Sequence, residues 1–496
     1  MDVSVGSKTI LALIYLALIL VAEKRVDATI GVNWGRESAQ RLIPSAVVDL
    51  LLQNGVKEAR VYTSRDDLLQ AFAGSGIGLT LTVNELFVLD SYDKCKAWVR
   101  NKMLNLRMAT VRRIYIGSYP FSTGLRNKDT LKTSMDVLLY LQTALNDAGL
   151  GDQVKASFTH TSELLKPNMT KPSEAEFRDE IKEEVKTMLR FFEQNGSPFV
   201  FDIVPSFLTQ AYNMDPLFAF VGESTQVVKD INGAVYTNIF EFAYDSFVWA
   251  LIKLNASNVK VMVGQIGWPT DGYTNGNAST AERFYKGLLP YVASHKGTPL
   301  RPGAPIDTFV HALTDENRLP HQFMRHWGIY RSNGKPKFKI DLTGQGRNIY
   351  PTSAKGIMRM PERWCVFNGN QTDYMKVMEQ LDFACTKSDC SSLRTGGSCS
   401  HLSFEKNVSY AFNTFFQFQF QNEKACDFDG LSYITVDNPS TDECIFPVEV
   451  VAGRQENYVQ TGRQLNYKVS KGVLHYTPNC VVPLFLLSIL GALFWN

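Results

Sequence analysis

Short apolar, β-branched runs alternate with longer amphipathic segments from Ile30 to about Leu342. Eight of the runs read as strands: Ile30–Trp34, Ala59–Tyr62, Gly78–Val83, Arg113–Gly117, Val154–Phe158, Phe199–Val204, Lys260–Gly264 and Ile306–Ala312. Runs this apolar suit strands buried on both faces. Between them lie helical stretches such as Pro44–Gln53, Thr130–Ala148, Glu174–Gln194, Asn238–Leu254 and Thr280–Ala293. In Thr130–Ala148, Leu131, Met135, Leu138, Leu139 and Leu145 fall on one face at three- and four-residue steps, and Gly149 follows as a stop. Strand and crossover repeated in this way predict an α/β chain of the (β/α)₈ kind, a TIM barrel. A doubly wound open sheet is the competitor. Against it, the first strand runs into Gly35-Arg36-Glu37 rather than a dinucleotide-binding glycine fingerprint.

The pattern breaks after Leu342. Residues 343–363 hold three glycines, two prolines and no periodicity, which marks a linker. Trp364–Phe446 then holds six of the eight cysteines: Cys365, Cys385, Cys390, Cys399, Cys426 and Cys444. An even cluster in so short a stretch of a secreted chain reads as a disulfide framework. A zinc site is the rival, but no C-x-x-C pair is present. Cys95 is left over as a buried thiol of the large domain, and Cys480 belongs to the tail. The expected division is a signal peptide at 1–28, a barrel at 29–345, a linker at 346–363 and the cysteine module at 364–446. A polar, extended stalk at 447–471 and a discarded tail at 472–496 complete it.

The two ends change the picture from a soluble protein to a surface one. Lys8 precedes the apolar run Ile10–Ala22, too short to span a bilayer comfortably, and Val26-Asp27-Ala28 ends in a small residue. That reads as a secretory signal cleaved near Ala28, with cleavage after Ala22 as the alternative. Val481–Trp495 is apolar and uncharged, with a spacer and the small residues Ser470 and Gly472 upstream. Small site, spacer and hydrophobic tail form a glycosylphosphatidylinositol signal, with Ser470 as the expected attachment residue. Sequons at Asn168, Asn255, Asn277, Asn370 and Asn407 fit a secreted glycoprotein, while Pro198 compromises the one at Asn195. The expected location is the outer face of the plasma membrane and the cell wall. Lys and Arg number 51 against 49 Asp and Glu, so no strongly basic face is available for nucleic acid.

Candidate chemistry centres on Val259–Thr270, V-K-V-M-V-G-Q-I-G-W-P-T. The Gly-Trp-Pro half cannot continue a strand, so the strand ends at about Gln265. In a TIM barrel that carboxyl edge is where catalytic side chains sit. The stretch closely resembles the nucleophile strand of the plant endo-β-1,3-glucanases, glycoside hydrolase family 17. Further likeness runs through I-G-V-N-W-G-R at Ile30–Arg36, N-G-S-P-F-V at Asn195–Val200, Pro302–Glu316, and Arg325–Leu342 with R-H-W-G-I-Y and K-P-K-F-K-I-D-L. The cysteine module resembles the family 43 carbohydrate-binding module, from Trp364-Cys365 through G-G-S-C and S-Y-A-F-N to Cys444. That resemblance implies bridges Cys365–Cys426, Cys385–Cys390 and Cys399–Cys444, a pairing that spacing alone leaves open.

The resemblance also implies two catalytic glutamates, and this chain has neither. Gln265 stands at the nucleophile position. Gly117-Ser118-Tyr119-Pro120 stands where the family has its acid, so Tyr119 replaces it. An amide is a poor nucleophile and a phenol of pKa about 10 is a weak acid. Losing the acid alone lowers the rate on the order of 10²–10⁴. Tyrosine serves as a nucleophile in sialidases, but here Tyr119 lies on the acid's side with no evident partner in the sequence. Two aromatic or acidic cleft positions also depart from the family, at Tyr62-Thr63 and Val204-Pro205-Ser206.

Asp307, Asp315 and Glu316 remain as support or rescue carboxylates. Trp34, Tyr62 and Trp268 at the barrel rim, and Tyr410 and Phe412 in the module, are candidate sugar platforms, with rim or core packing as the alternative. The expected function is a cell-surface β-1,3-glucanase-family protein, impaired in hydrolysis, that binds β-1,3-glucan (callose). The alternatives are a glucan endo-1,3-β-D-glucosidase working through other carboxylates, and a scaffold for a cell-wall or receptor protein. None of these readings uses a metal or a cofactor.

Overall fold

The computed structural model describes residues 28–84, 88–117, 119–122 and 128–451. The secretory signal up to residue 27, Ser118, Ser470 and the tail lie outside the described residues.

Nine short strands form one sheet: β1 (Ile30–Trp34), β2 (Glu58–Val61), β3 (Gly78–Val83), β4 (Val111–Ile116), β5 (Lys155–Ser157), β6 (Thr159–His160), β7 (Phe199–Ile203), β8 (Val261–Ile266) and β9 (Thr308–His311). The spatial order is β5-β4-β3-β2-β1-β9-β8-β7-β6, and every pairing is parallel. β5 falls within the expected strand Val154–Phe158, while β6 lies just beyond it, parted from β5 only by Phe158. β5 pairs with β4 and β6 with β7, so the sheet returns upon itself. The architecture is a TIM-like barrel. Each strand is buried almost throughout, which is why the apolar runs located them to within a few residues.

Helices coat the outside. Ile239–Lys253 begins at Asn238, whose side chain accepts from the Glu241 amide, and Ala278–Ala293 begins at Asn277, which accepts from Thr280. The helix expected over Glu174–Gln194 starts only at Lys182. Residues 172–181 instead form two short 3₁₀ turns, Pro172–Glu174 and Asp179–Ile181, and a bridge from Phe177 to Leu165, and the Phe177 ring is buried. Leu139 also departs from the expected face: it is half exposed, while Leu138 and Leu145 are buried. Inside the barrel, Tyr115, Val200, Met262 and Phe309 form one packed layer. The Phe309 ring lies where a Cβ on Gly31 would be, at 2.5 Å, so β1 needs glycine there.

The module pairs β10 (Trp364–Phe367) with β11 (Ser432–Thr435) in antiparallel fashion, against helices Tyr374–Lys387 and Phe404–Phe418. Its disulfides are Cys365–Cys426, Cys385–Cys390 and Cys399–Cys444. Cys95 is a buried free thiol. The stretch read as a linker is not loose. Met360 N–H donates to Glu449 and Val451 N–H to Met358, so residues 358–360 pair with 449–451, the beginning of the expected stalk.

Candidate functional site

The carboxyl rim carries a connected polar chain. β8 runs one residue beyond Gln265, to Ile266, and its register against β7 shifts at Gly264. A Cβ at Gly264 would fall 2.6 Å from Val200 and 2.7 Å from Asp202, so the close approach is reserved for glycine. The Gly264 carbonyl accepts from Asn33 at 3.0 Å and from Arg60 at 3.3 Å. Gln265 pairs with Asp202 across the sheet, and its side-chain oxygen accepts from the Tyr62 hydroxyl at 3.4 Å. The Tyr62 ring lies 4.8 Å from the Arg60 guanidinium, which is 3.7 Å from Asp202 Oδ1. Asp202 Oδ2 accepts from the Tyr119 hydroxyl at 2.7 Å. Tyr119 and Gln265 thus meet through Asp202, Arg60 and Tyr62.

Burial pushes the Asp202 carboxyl above its usual range, against the pull of Arg60 and of the Tyr119 hydrogen bond. Burial, and then the Asp202 charge, hold the Tyr119 phenol well above its ordinary value. The phenol therefore keeps its proton and donates it inward. Its backbone adopts φ +55, a left-handed conformation uncommon for a bulky residue. Sequence reading gave Tyr119 no partner and passed over Asp202, whose only signal was a lone carboxylate in the apolar run F-V-F-D-I.

The three other carboxylates separate. Asp307 precedes β9 at the amino end of the barrel, where it accepts from the Thr29 amide and pairs with Lys260. It is far from the rim by strand direction and is no rescue acid. Asp315 is held by the Gly328 amide at 3.0 Å, by Lys337 and by His326 at 3.5 Å, so its role is structural. Glu316 differs. Its carboxyl accepts only from the Glu37 amide, at 3.2 Å, among the described residues, and lies against Gly35. Burial, with the charges of Glu37 and Asp315, pushes it up to about 7.

The candidate platforms also sort by exposure. Trp34 is 1% exposed and belongs to the barrel core. Trp268 packs on Phe220 and Phe284, and its indole N–H donates to Asn275. Tyr410 packs on Phe446, and Phe412 stacks on Phe428 with centroids 3.7 Å apart, so both are module core. Of the five expected platforms only Tyr62 keeps a partly open side. Sequence reading missed a half-exposed cluster at the rim, in which Phe207, after β7, stacks on Phe323, after β9, with Tyr273 from the β8 loop edge-on to it. Each residue is isolated in its own loop, so no local pattern marks the group. Asn168, Asn255, Asn277 and Asn370 are exposed, while Asn407 is half-buried within a helix. No group of His, Cys, Asp and Glu among the described residues is arranged to hold a metal ion.

Residues 30–342 match the model of glycosyl hydrolases family 17. The chain belongs to that family. Residues 363–433 match the X8 domain. Among relatives of this family 17 chain, glucan endo-1,3-beta-glucosidase 8 of Arabidopsis thaliana is 36% identical, over 86% of this chain and 91% of the relative. Glucan endo-1,3-beta-glucosidase 5 of the same plant is 32% identical, over 89% and 91%. Of solved structures, CJP38, a beta-1,3-glucanase and allergen of Cryptomeria japonica pollen, aligns with a TM-score of 0.60 at 26% identity. That alignment covers 64% of this chain and 99% of the allergen.

The family 17 barrel and its X8 module are not beads on a string. His326, in the loop after β9, is 3.0 Å from module Asp389 and 3.5 Å from Asp315. Arg325 pairs with the same Asp389 at 3.1 Å. Asp271, in the β8 loop, accepts from Ser392 and from Ser398 at 2.7–2.9 Å. Burial alone would lower the His326 pKa, but Asp389 and Asp315 outweigh it and raise it to about 10. The imidazolium is thus a fixed cation between the two domains.

Proposed function

We propose that this chain binds β-1,3-glucan at the cell surface and does not cleave it by the two-carboxylate route of its family. The observation that carries this reading is the occupant of the acid position. Tyr119 turns its hydroxyl inward to a buried Asp202 that is itself committed to Arg60. The partner position holds an uncharged amide hydrogen-bonded to Tyr62. A retaining glycosidase needs two carboxyl groups roughly 5–5.5 Å apart, facing the sugar. Support for glucan as ligand comes from the relatives, whose names are glucan endo-1,3-beta-glucosidases, from the X8 module, and from the half-exposed Phe207–Phe323–Tyr273 cluster. Surface attachment rests on the two ends of the sequence.

The deciding assay is reducing-end release from laminarin by wild type and by the Tyr119→Glu/Gln265→Glu double variant. Wild type is expected to release nothing above blank, and the double variant to gain turnover. Wild-type turnover at the rate of an ordinary glucanase would overturn the reading. A second reading is slow hydrolysis, favoured by one observation: a Glu316 carboxyl pushed up to about 7 still holds its proton in mildly acidic surroundings. In that case Glu316→Gln abolishes whatever slow release the wild type shows.

A further inference from the structure

Apart from the barrel mouth, a cleft of about 1080 Å³ lies between the barrel and the module. One wall comes from the barrel loops that carry Thr270, Asp315 and Arg331–Lys337, and the other from module residues around Ser400, Asn438 and Ile445. Ligand sites favour domain interfaces, and this volume is at the upper end of their usual range of about 300–1,000 Å³.

Two features separate it from a loose seam. The walls are fixed to each other, because Asp389 grips Arg325 and His326 on one side and Asp271 grips Ser392 and Ser398 on the other. At its base, buried Glu449 accepts from Ser332, and Asn333 donates to the Val448 carbonyl. The space is therefore held open rather than closed by packing. Its lining is also half committed. Asp271, Asp315 and Asp389 are neutralised by Lys337, His326 and serine hydroxyls, whereas the side chains of Arg331, Lys335, Glu362 and Asp442 make no hydrogen bond or ion pair among the described residues. Beside them lies apolar surface, with Ile445 42% exposed.

A cleft with apolar surface, cationic donors and open carboxylate acceptors suits a neutral, polyhydroxylated chain, because pyranose rings offer C–H faces to the first and hydroxyls that accept from the second and donate to the third. Position points the same way. Asp315 lines the cleft, and the next residue, Glu316, lies against Gly35 at the barrel rim. One loop therefore borders both the barrel rim and the cleft.

We propose that the barrel–module cleft is a second β-1,3-glucan site, built jointly by both domains and continuous with the barrel mouth. It rests on the glucan-binding reading above and adds a place to it. The test uses the full chain, laminarihexaose in calorimetry, and a laminari-oligosaccharide carrying a photoreactive group, with the labelled peptides mapped by mass spectrometry. Labels are expected in both 331–337 and 438–449, suppressed by excess unlabelled laminarihexaose. Ser400→Trp, at an exposed wall position, should remove them and weaken binding roughly tenfold, as should Arg331→Ala. Ser279→Ala, run in parallel, removes the sequon at Asn277, which stands on the same cleft. Cleft labelling in either glycosylation state supports the proposal.

If the chain binds laminarihexaose but labels fall only at the barrel mouth or on the outer module helix, and Ser400→Trp binds as wild type, the cleft proposal is overturned while the functional reading survives. If no laminarihexaose binds at all, the functional reading itself falls, and the cleft with it.

Discussion

Partly buried Tyr119 donates one hydrogen bond to buried Asp202. Tyr119→Phe keeps the ring and removes the donor, leaving a buried carboxylate short of a partner. The expected loss of stability is about 1–3 kcal/mol, read as a lower midpoint in urea unfolding. An unchanged midpoint would show that the phenol is ornamental to the fold. At this scale the sequence was legible where a residue's meaning is local. Gln265 and Tyr119 drew attention because each stands in a run that resembles a family pattern. Asp202 could not, because its role depends on Tyr119 and Arg60, which only the closed barrel brings to it. Tyr410 and Phe412 were misread for a related reason: aromatic content does not say which side of a helix faces solvent. On helix Phe404–Phe418 both rings point into the module core.

Strand by strand, the barrel could be read almost completely, since a strand covered on both faces tolerates little but apolar residues. The interruption at Phe158, between β5 and β6, had no such signature. Nor did the irregular register at Gly264, where glycine inside a strand could equally mark a bulge or a close approach. It marks both here. Gly264→Ala forces a methyl into contact with Val200 and Asp202 and should cost about 1–3 kcal/mol, the usual range for overpacking. It should also shift Gln265 away from Tyr62. Thermal unfolding together with laminarin retention measures the two effects, and a variant as stable as wild type would mean that β7 yields freely at this point.

For the molecule as a whole, groups at the joint between barrel and module, together with Glu316 at the barrel rim, contribute to the response to pH. Glu316 and Glu449 are pushed by burial up to about 7, so the stability of their protonated forms is complete below about 4.5 and is lost as pH rises through 7. The contribution of the His326 imidazolium is complete below about 6.5 and is lost as pH rises towards 10. Asp389 works in the opposite sense: burial opposes its ionisation, but His326 and Arg325 hold its carboxyl far below the usual range, so its contribution disappears only under about pH 3.8. The melting temperature is expected to fall steadily from pH 5 to pH 9. Asp389→Asn should lower it at pH 5 and flatten the alkaline part of that decline; a parallel curve would remove His326 as the cause. None of this could be read from the chain, because His326 and Asp389 sit in different domains and in no shared motif. The pairing of residues 358–360 with 449–451 has a mechanical consequence. If the tail is fastened to a surface, tension enters at residue 451 and peels this pair from its open end, one bond at a time. Peeling halts at Cys444, which Cys399 holds covalently. Load on the tether therefore slackens the seam next to Ser332 and Glu449 while the module stays folded, so drag on the wall would be felt first where the two domains meet.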